Sequence, residues 1–266
     1  MPDPSTINPP PTDHDRLGGV DRLYGKGSLD CLRAAHVWVI GIGGVGSWAA
    51  EALARTGIGR LTLVDLDDIC LTNTNRQVHA LDGAYGRPKI DVMAERIQAI
   101  RPDIRVDRQA AFVTSSNVAD VLAPGPDLVL DAIDGTTNKA HLIAHCRDHA
   151  ISLVTMGGAG GRRDPGRVLT CDLAFTRQDK MLAALRKRLR QRHGFPPDSP
   201  GGYGIACVHS QEPPVYPWRD GSVCAEREPG TPDGINCESG FGTSVMVTAT
   251  FGFHAAAAAV NRLLQT

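Results

Sequence analysis

The sequence predicts an α/β fold: a Rossmann-like, mostly parallel sheet with flanking helices, plus a C-terminal extension with short strands and a final buried helix. Three observations carry that expectation. Short apolar, β-branched runs alternate with helical segments over residues 37–155, the order that builds parallel strands joined by right-handed crossovers. Gly41, Gly43 and Gly46 stand in GxGxxG spacing, with Gly44 between them, directly after the first apolar run. Asp65 closes the second run, about 20 residues further on, where a dinucleotide-type fold places its acidic residue.

Each element follows from local composition. Residues 1–13 are too rich in proline to pack and are expected to be a disordered tail. Residues 14–172 form the expected nucleotide-binding domain and 173–266 an extension packed on it. Gly18, Gly19, Gly25 and Gly27 break residues 15–32 into short helical pieces carrying Arg16 and Arg22. The run 37–40 (VWVI) is too short for a helix and β-branched enough for a buried strand. The glycine turn then aims the N-terminus of a helix over 47–56 at a phosphate. The strand 61–64 ends at Asp65, placed to accept a ribose hydroxyl.

The loop 66–80 sets Asn73, Asn75, Arg76 and Gln77 just beyond that strand end, where open α/β sheets bind ligands. Gly86-Arg87-Pro88-Lys89 leads into a helix over 90–100. Lys89 is a cation at the wrong end of a helix dipole, a conflict that a bound polyphosphate would resolve. Further strands are expected at 104–107, 127–131 and 151–155, and helices at 115–122 and 136–149. Asp131 and Asp134 flank the end of the DLVLD strand. Either could hold Mg²⁺ against phosphate oxygens or cap the following helix.

A glycine-rich stretch, 156–161, precedes Arg162, Arg163 and a strand over 167–171. Residues 180–193 (KMLAALRKRLRQRH) read as a helix with one leucine stripe and cations on the rest, a plausible phosphate-backbone contact. Residues 194–204 and 229–234 are loops by composition, the first a flexible one, and 205–209 and 215–216 are short strands. The segment 241–260 lacks a formal charge when His254 is neutral. Its Thr, Ser, Gly and Ala content favours a helix buried against the sheet over a membrane span.

Composition excludes several classes. The 28 Lys+Arg and 29 Asp+Glu leave a net charge of −1, so RNA binding needs a local basic patch. The seven cysteines include no CxxC pair, so a cysteine zinc site has no support and zinc is not expected. No signal peptide precedes them, which predicts free thiols, a cytoplasmic protein and no obligate membrane partner. The glycine turn alone would also suit an NAD(P)-dependent oxidoreductase, but the Asn/Arg loop and Lys89 speak for a triphosphate.

The motifs GIGGVG, LTLVDLDD, TNTNRQ, GRPK and LVLDAID, in order over residues 41–161, resemble the E1-like adenylating superfamily. RLGGVDRLYG, VTMGGAGG, VYPWRDGSVC and SGFGTSVMVTATFGF further resemble its tRNA threonylcarbamoyladenosine dehydratase subfamily. The resemblance implies binding of ATP·Mg²⁺ and attack of a carboxylate on the α-phosphate to give an acyl-adenylate. In that subfamily the carboxylate belongs to N6-threonylcarbamoyladenosine in the tRNA anticodon loop, and ring closure expels AMP with net loss of water.

By the same resemblance Gly41, Gly43, Gly44 and Gly46 form the phosphate loop and Asp65 takes the ribose. Asn73, Arg76 and Lys89 grip the triphosphate, and Asp134 is the Mg²⁺ ligand. Arg16 or Arg22 reaches the ATP of the partner in a homodimer. Arg76, Lys89 and Asp134 are thus the expected catalytic groups, with Cys237, beside Glu238 in a Gly-rich segment, as a fourth. A monovalent cation and a cysteine-desulfurase sulfur-acceptor protein remain open as further ligand and partner. The alternative within the superfamily is an activator of a sulfur-carrier or ubiquitin-like protein; the alternative outside it is a non-catalytic tRNA- or partner-binding protein.

Overall fold

The computed structural model describes residues 13–123, 125–197, 199–230 and 241–265. Residues 1–12 of the expected tail 1–13, and Cys237 with Glu238, lie outside the described residues, while Asp13 already opens a helix. Two helices, α1 (Asp13–Tyr24) and α2 (Ser28–Ala34), lead into β1 (His36–Ile40). The alternation then runs α3 (Gly46–Thr56), β2 (Arg60–Val64), α4 (Lys89–Ile100), β3 (Arg105–Gln109), α5 (Val118–Leu122), β4 (Leu128–Asp131), α6 (Thr136–Asp148) and β5 (Ser152–Met156). After it come β6 (Val168–Asp172), α7 (Lys180–Arg192), β7 (Ala206–Ser210), the small pair β8 (Tyr216–Pro217) and β9 (Val223–Cys224), and α8 (Val245–Leu263).

The main sheet has seven strands in the order β3-β2-β1-β4-β5-β7-β6. All pairings are parallel except β6 with β7, so β6 is an antiparallel edge strand. β7, drawn from the expected extension, lies between β5 and β6 inside this sheet. Successive connections run outward from β1 on one side and from β4 on the other. That reversal opens a crevice at the carboxyl ends of β1 and β4, the usual ligand position in an open α/β sheet.

Alternation along each buried strand splits the core into two layers. Val37 and Val39 face a layer with Leu53 of α3, Met93 and Ile97 of α4, and Phe251 and Ala255 of α8. Trp38 and Ile40 face the other layer, with Leu142 and Ile143 of α6 and Leu182, Leu185 and Leu189 of α7. The uncharged C-terminal segment is thus a helix packed on the sheet, with Val247, Phe251, Ala255 and Ala259 fully buried. Among the described residues no helix is long and apolar enough to cross a membrane.

One helix is shorter than its sequence predicts. The span 115–122 begins only at Val118, because Asn117 turns its amide back on the preceding chain. Its Oδ1 accepts from Thr114 N–H at 2.7 Å, and its Nδ2 donates to the Phe112 carbonyl at 2.9 Å. Local side-chain bonds of this kind compete with helix. The loop after α7 is pinned at its far end, where the Asp172 carboxylate accepts from Tyr203 N–H at 2.8 Å and Ile205 N–H at 3.1 Å.

Candidate active site

The glycine turn is built from two close approaches. Gly41 has φ +92°, and a Cβ there would stand 2.8 Å from the Ala132 carbonyl oxygen after β4. At Gly46 a Cβ would collide with the carbonyl oxygen of Gly41 itself, so only glycine lets the turn close. α3 then starts with no side-chain cap. Ser47 N–H donates to the Gly43 carbonyl at 3.1 Å, closing the turn onto the helix start, and the dipole at that N-terminus favours an anion beside it.

Asp65 braces this turn from the end of β2. One carboxylate oxygen accepts from Ile42 N–H at 2.6 Å and the other from Asp67 N–H at 2.9 Å. The residue expected on sequence grounds to receive a ribose therefore also fixes the backbone beside the phosphate loop. Each of its oxygens keeps a second lone pair for a hydroxyl.

The Asn73–Gln77 loop is clipped onto α3 and α8. Asn73 is buried and accepts from Cys70 N–H at 3.0 Å. The Arg76 carbonyl accepts from Trp48 Nε1 at 3.0 Å, and Asn75 Nδ2 donates to the Thr243 carbonyl at 3.0 Å just before α8. The Arg76 side chain consequently lies over the phosphate loop: its Cγ and Cδ stand 3.3 Å from where a Gly44 Cβ would be. Its guanidinium donates to the Thr72 carbonyl at 2.7 Å and to Asn75 Oδ1 at 3.0 Å, and no carboxylate is bonded to it among the described residues.

Lys89 opens α4 and is almost buried, its ammonium 2.7 Å from Asp67 Oδ2. Asp67 itself is 53% exposed. In this structure the conflict with the helix dipole is relieved by a carboxylate that water can reach. Behind Lys89 sits His79, fully buried, with neither ring nitrogen hydrogen-bonded among the described residues. Burial, then Lys89 and Arg96, lower its pKa to about 4.

Asp134 is where these groups converge. It is open to solvent yet crowded by protein, and that crowding pushes its carboxyl up, while Lys139, Arg76 and Lys89 pull it back. Because water reaches the side chain, the upward push is partial. Asp134 makes no hydrogen bond or ion pair among the described residues, which leaves both oxygens for a cation or a ligand. Neither it nor Asp131 caps α6, whose N-cap is Gly135 without a side-chain bond.

Asp131 is a correction to the sequence reading. It is fully buried and forms a 2.8 Å ion pair with Lys139, also fully buried. Thr155 Oγ1 donates to Asp131 Oδ2 at 2.7 Å, and Ile133 N–H to Oδ1 at 3.2 Å. A carboxylate so completely engaged neither caps a helix nor binds Mg²⁺. Lys139 was missed, though it stands on the same stripe as Leu142, Ile143 and Cys146, where a lysine must find a buried partner.

Arg16 and Arg22 lie elsewhere. Both are exposed on α1, which packs at the far end of α3, where Leu17 and Leu29 approach Gly57. That is the opposite edge of the sheet from the chain's own phosphate loop. The 157–161 stretch is used for packing: Asp179 accepts from Gly158 N–H at 2.9 Å, and Arg162, also buried, stands 3.3 Å from the same oxygen. An open groove of about 330 Å³ lined by Phe175, Arg190 and Tyr203 adjoins the end of β6, again away from the glycine turn.

The model of the ThiF family matches residues 16–263. The chain belongs to the ThiF family. It is 52% identical to the tRNA threonylcarbamoyladenosine dehydratase of Escherichia coli strain K12, over 94% of this chain and 93% of that protein. With the enzyme of that name from Haemophilus influenzae it shares 45% identity over 94% of each chain. The solved Escherichia coli tRNA N6-threonylcarbamoyladenosine dehydratase in complex with ATP superimposes with a TM-score of 0.83 at 48% identity, covering 95% of both chains. A further structure of that enzyme holds AMP, with the same TM-score and coverage at 49% identity.

Proposed function

We propose that this protein is an ATP-dependent enzyme that dehydrates N6-threonylcarbamoyladenosine in the anticodon loop of tRNA to its cyclic form. The observation that carries the reading is the end-to-end likeness to two dehydratases, at 52% and 45% identity. The site supports it independently. An uncapped helix start, an arginine bonded to no carboxylate among the described residues and a lysine on an exposed aspartate form a cradle for a polyphosphate.

The threonyl carboxylate attacks the α-phosphate of ATP, forming the acyl–phosphate bond as the bond to pyrophosphate breaks. Arg76 and Lys89 offset the charge that builds on the departing pyrophosphate, and their loops are already fixed by Trp48 and Asp67. Such preorganised charge is usually the largest catalytic contribution in sites of this kind. Attack within the nucleoside on the activated carbonyl then releases AMP and closes the ring.

Magnesium fits the residues present. Among the described residues no group of three or more His, Cys, Asp or Glu could cage a metal. Mg²⁺ accompanying a nucleotide needs only one or two carboxylates, the rest of its shell being phosphate and water. Asp134 would hold it, screening the phosphates from the carboxylate that approaches them.

A homodimer is part of the proposal. Met246 and Phe253 are 62% and 48% exposed on one side of α8, and Phe253 packs edge-on against Trp48. An apolar strip beside the site suits a second copy. A partner's Arg16 or Arg22 would complete the ATP site that its own chain leaves distant.

The deciding experiment incubates the purified protein and ATP with tRNA carrying threonylcarbamoyladenosine, then digests the RNA and weighs the nucleosides. Loss of one water, dependent on ATP and abolished in Asp134→Ala, is expected. No mass change would sink the dehydratase reading. Pyrophosphate exchange stimulated by a small protein with a C-terminal glycine would point instead to the sulfur-carrier alternative.

A further inference from the structure

Charge on this chain is distributed unevenly. Through the first half of the sheet seven arginines are neutralised in place: Arg55 and Arg96 on Glu51, Arg60 and Arg105 on Asp107, Arg87 on Glu95, Arg101 on Asp103 and Arg108 on Asp91. α7 is different. It carries Lys180, Arg186, Lys187, Arg188, Arg190 and Arg192 with no acidic residue inside the helix. Lys187, Arg188, Arg190 and Arg192 form no ion pair or hydrogen bond among the described residues. The nearby carboxylates are committed elsewhere: Asp148 to Arg147, Asp172 to backbone N–H groups, and Asp179 to the helix start and Arg162.

The helix is also presented for contact. Leu182, Leu185 and Leu189 anchor one side in the core. On the opposite side Lys180, Ala183, Ala184 and Lys187 are exposed, so two methyl groups separate the cations and let a bulky backbone approach closely. α7 begins where Asp179 binds the Gly158 N–H, just beyond the carboxyl end of β5, and so at the edge that carries the nucleotide site. From there its 13 residues run about 20 Å towards the opposite edge.

We infer that the outer face of α7 is the seat of the phosphate backbone of tRNA, gripping the stem next to the loop whose nucleoside is modified. The inference rests on the function proposed above, and names the surface that function needs. Four cations on one helix, Lys187, Arg188, Arg190 and Arg192, with no carboxylate pairing them among the described residues, on a chain of net charge −1, match a polyanion and little else. Phosphate contacts of this sort set position and carry no sequence preference. The helix would hold the stem, while the crevice at β1 and β4 receives the reacting nucleoside.

The test compares the full-length protein with a Lys187→Ala, Arg188→Ala, Arg192→Ala variant, using tRNA both with and without threonylcarbamoyladenosine. Direct binding should weaken at least about tenfold for both RNAs, since removing a cation from a phosphate lowers affinity uniformly across sequences. The slope of log affinity against log salt should become shallower by about 0.9 for each phosphate no longer neutralised. In turnover, KM for tRNA should rise with kcat at saturating RNA and ATP affinity unchanged. An Arg55→Ala, Arg87→Ala, Arg108→Ala variant removes as much charge from paired positions and should bind tRNA as the parent does. Unchanged tRNA affinity and salt slope in the α7 variant would overturn the inference, as would an equal weakening in the control. Failure of the parent to dehydrate the nucleoside would strike the proposed function instead, while the binding comparison would still decide the role of α7.

Discussion

Lys139 and Asp131 meet at 2.8 Å with neither side chain exposed, whereas Lys89 and Asp67 meet at 2.7 Å with the aspartate half in solvent. Both pairs stand at the carboxyl edge of the sheet, and both aspartates lie at or just beyond a strand end. In the first pair every polar atom is engaged, by Thr155, the Asp131 carbonyl and Ile133 N–H. In the second, water would take over Asp67 if a phosphate claimed the lysine. The same two side chains thus give a structural rivet in one place and a redirectable charge in the other. Access to solvent decides which.

The largest expected effect tests the rivet. Lys139→Met leaves a buried, uncompensated carboxylate and should destabilise the protein by about 3–5 kcal/mol, measured by urea unfolding. Adding Asp131→Leu should restore most of the loss. A single variant costing less than about 1 kcal/mol would remove the distinction between the pairs. Lys89→Ala should do the reverse. It should slow tRNA-dependent pyrophosphate release by roughly a hundred- to a thousandfold, the usual loss for one preorganised donor, with little change in unfolding midpoint.

His79, behind Lys89, sharpens the comparison through pH. Its folded pKa of about 4 lies below the ordinary value of 6.5, so between these pH values the unfolded chain binds the extra proton. The stability this neutral ring contributes is therefore complete above pH 6.5 and is lost as pH falls towards 4, by up to roughly 3 kcal/mol. Unfolding curves of the parent and His79→Gln at pH 7 and pH 4.5 would show it as a steeper acid loss in the parent. The smallest effect belongs to Arg87→Gln. Its ion pair with Glu95 is exposed on both sides, and the unfolding free energy should change by less than about 1 kcal/mol.

Most of the sheet was legible because strand and helix periodicities are local. VWVI, LTLV and DLVLD needed no tertiary information, and the glycine spacing located the turn. What escaped were choices made across the fold. Asp131 and Asp134 look alike from the sequence, three residues apart after one strand, and only Lys139 reaching back from α6 separates them. Asp67 gave no signal beyond an acidic loop, since its partner lies 22 residues away. β7 read as a short strand, but its place between β5 and the antiparallel β6 depends on the long path through α7. The leucine stripe announced α7 as a surface helix, while the lack of ion pairs to its outer cations among the described residues is visible only in three dimensions.

The bond from Trp48 Nε1 to the Arg76 carbonyl has a practical consequence. The chain holds three tryptophans, and this one is wired to the loop that would close on a triphosphate. Its emission colour and quenching should shift as ATP enters, so a Trp38→Phe, Trp218→Phe protein would report nucleotide loading optically, without a label.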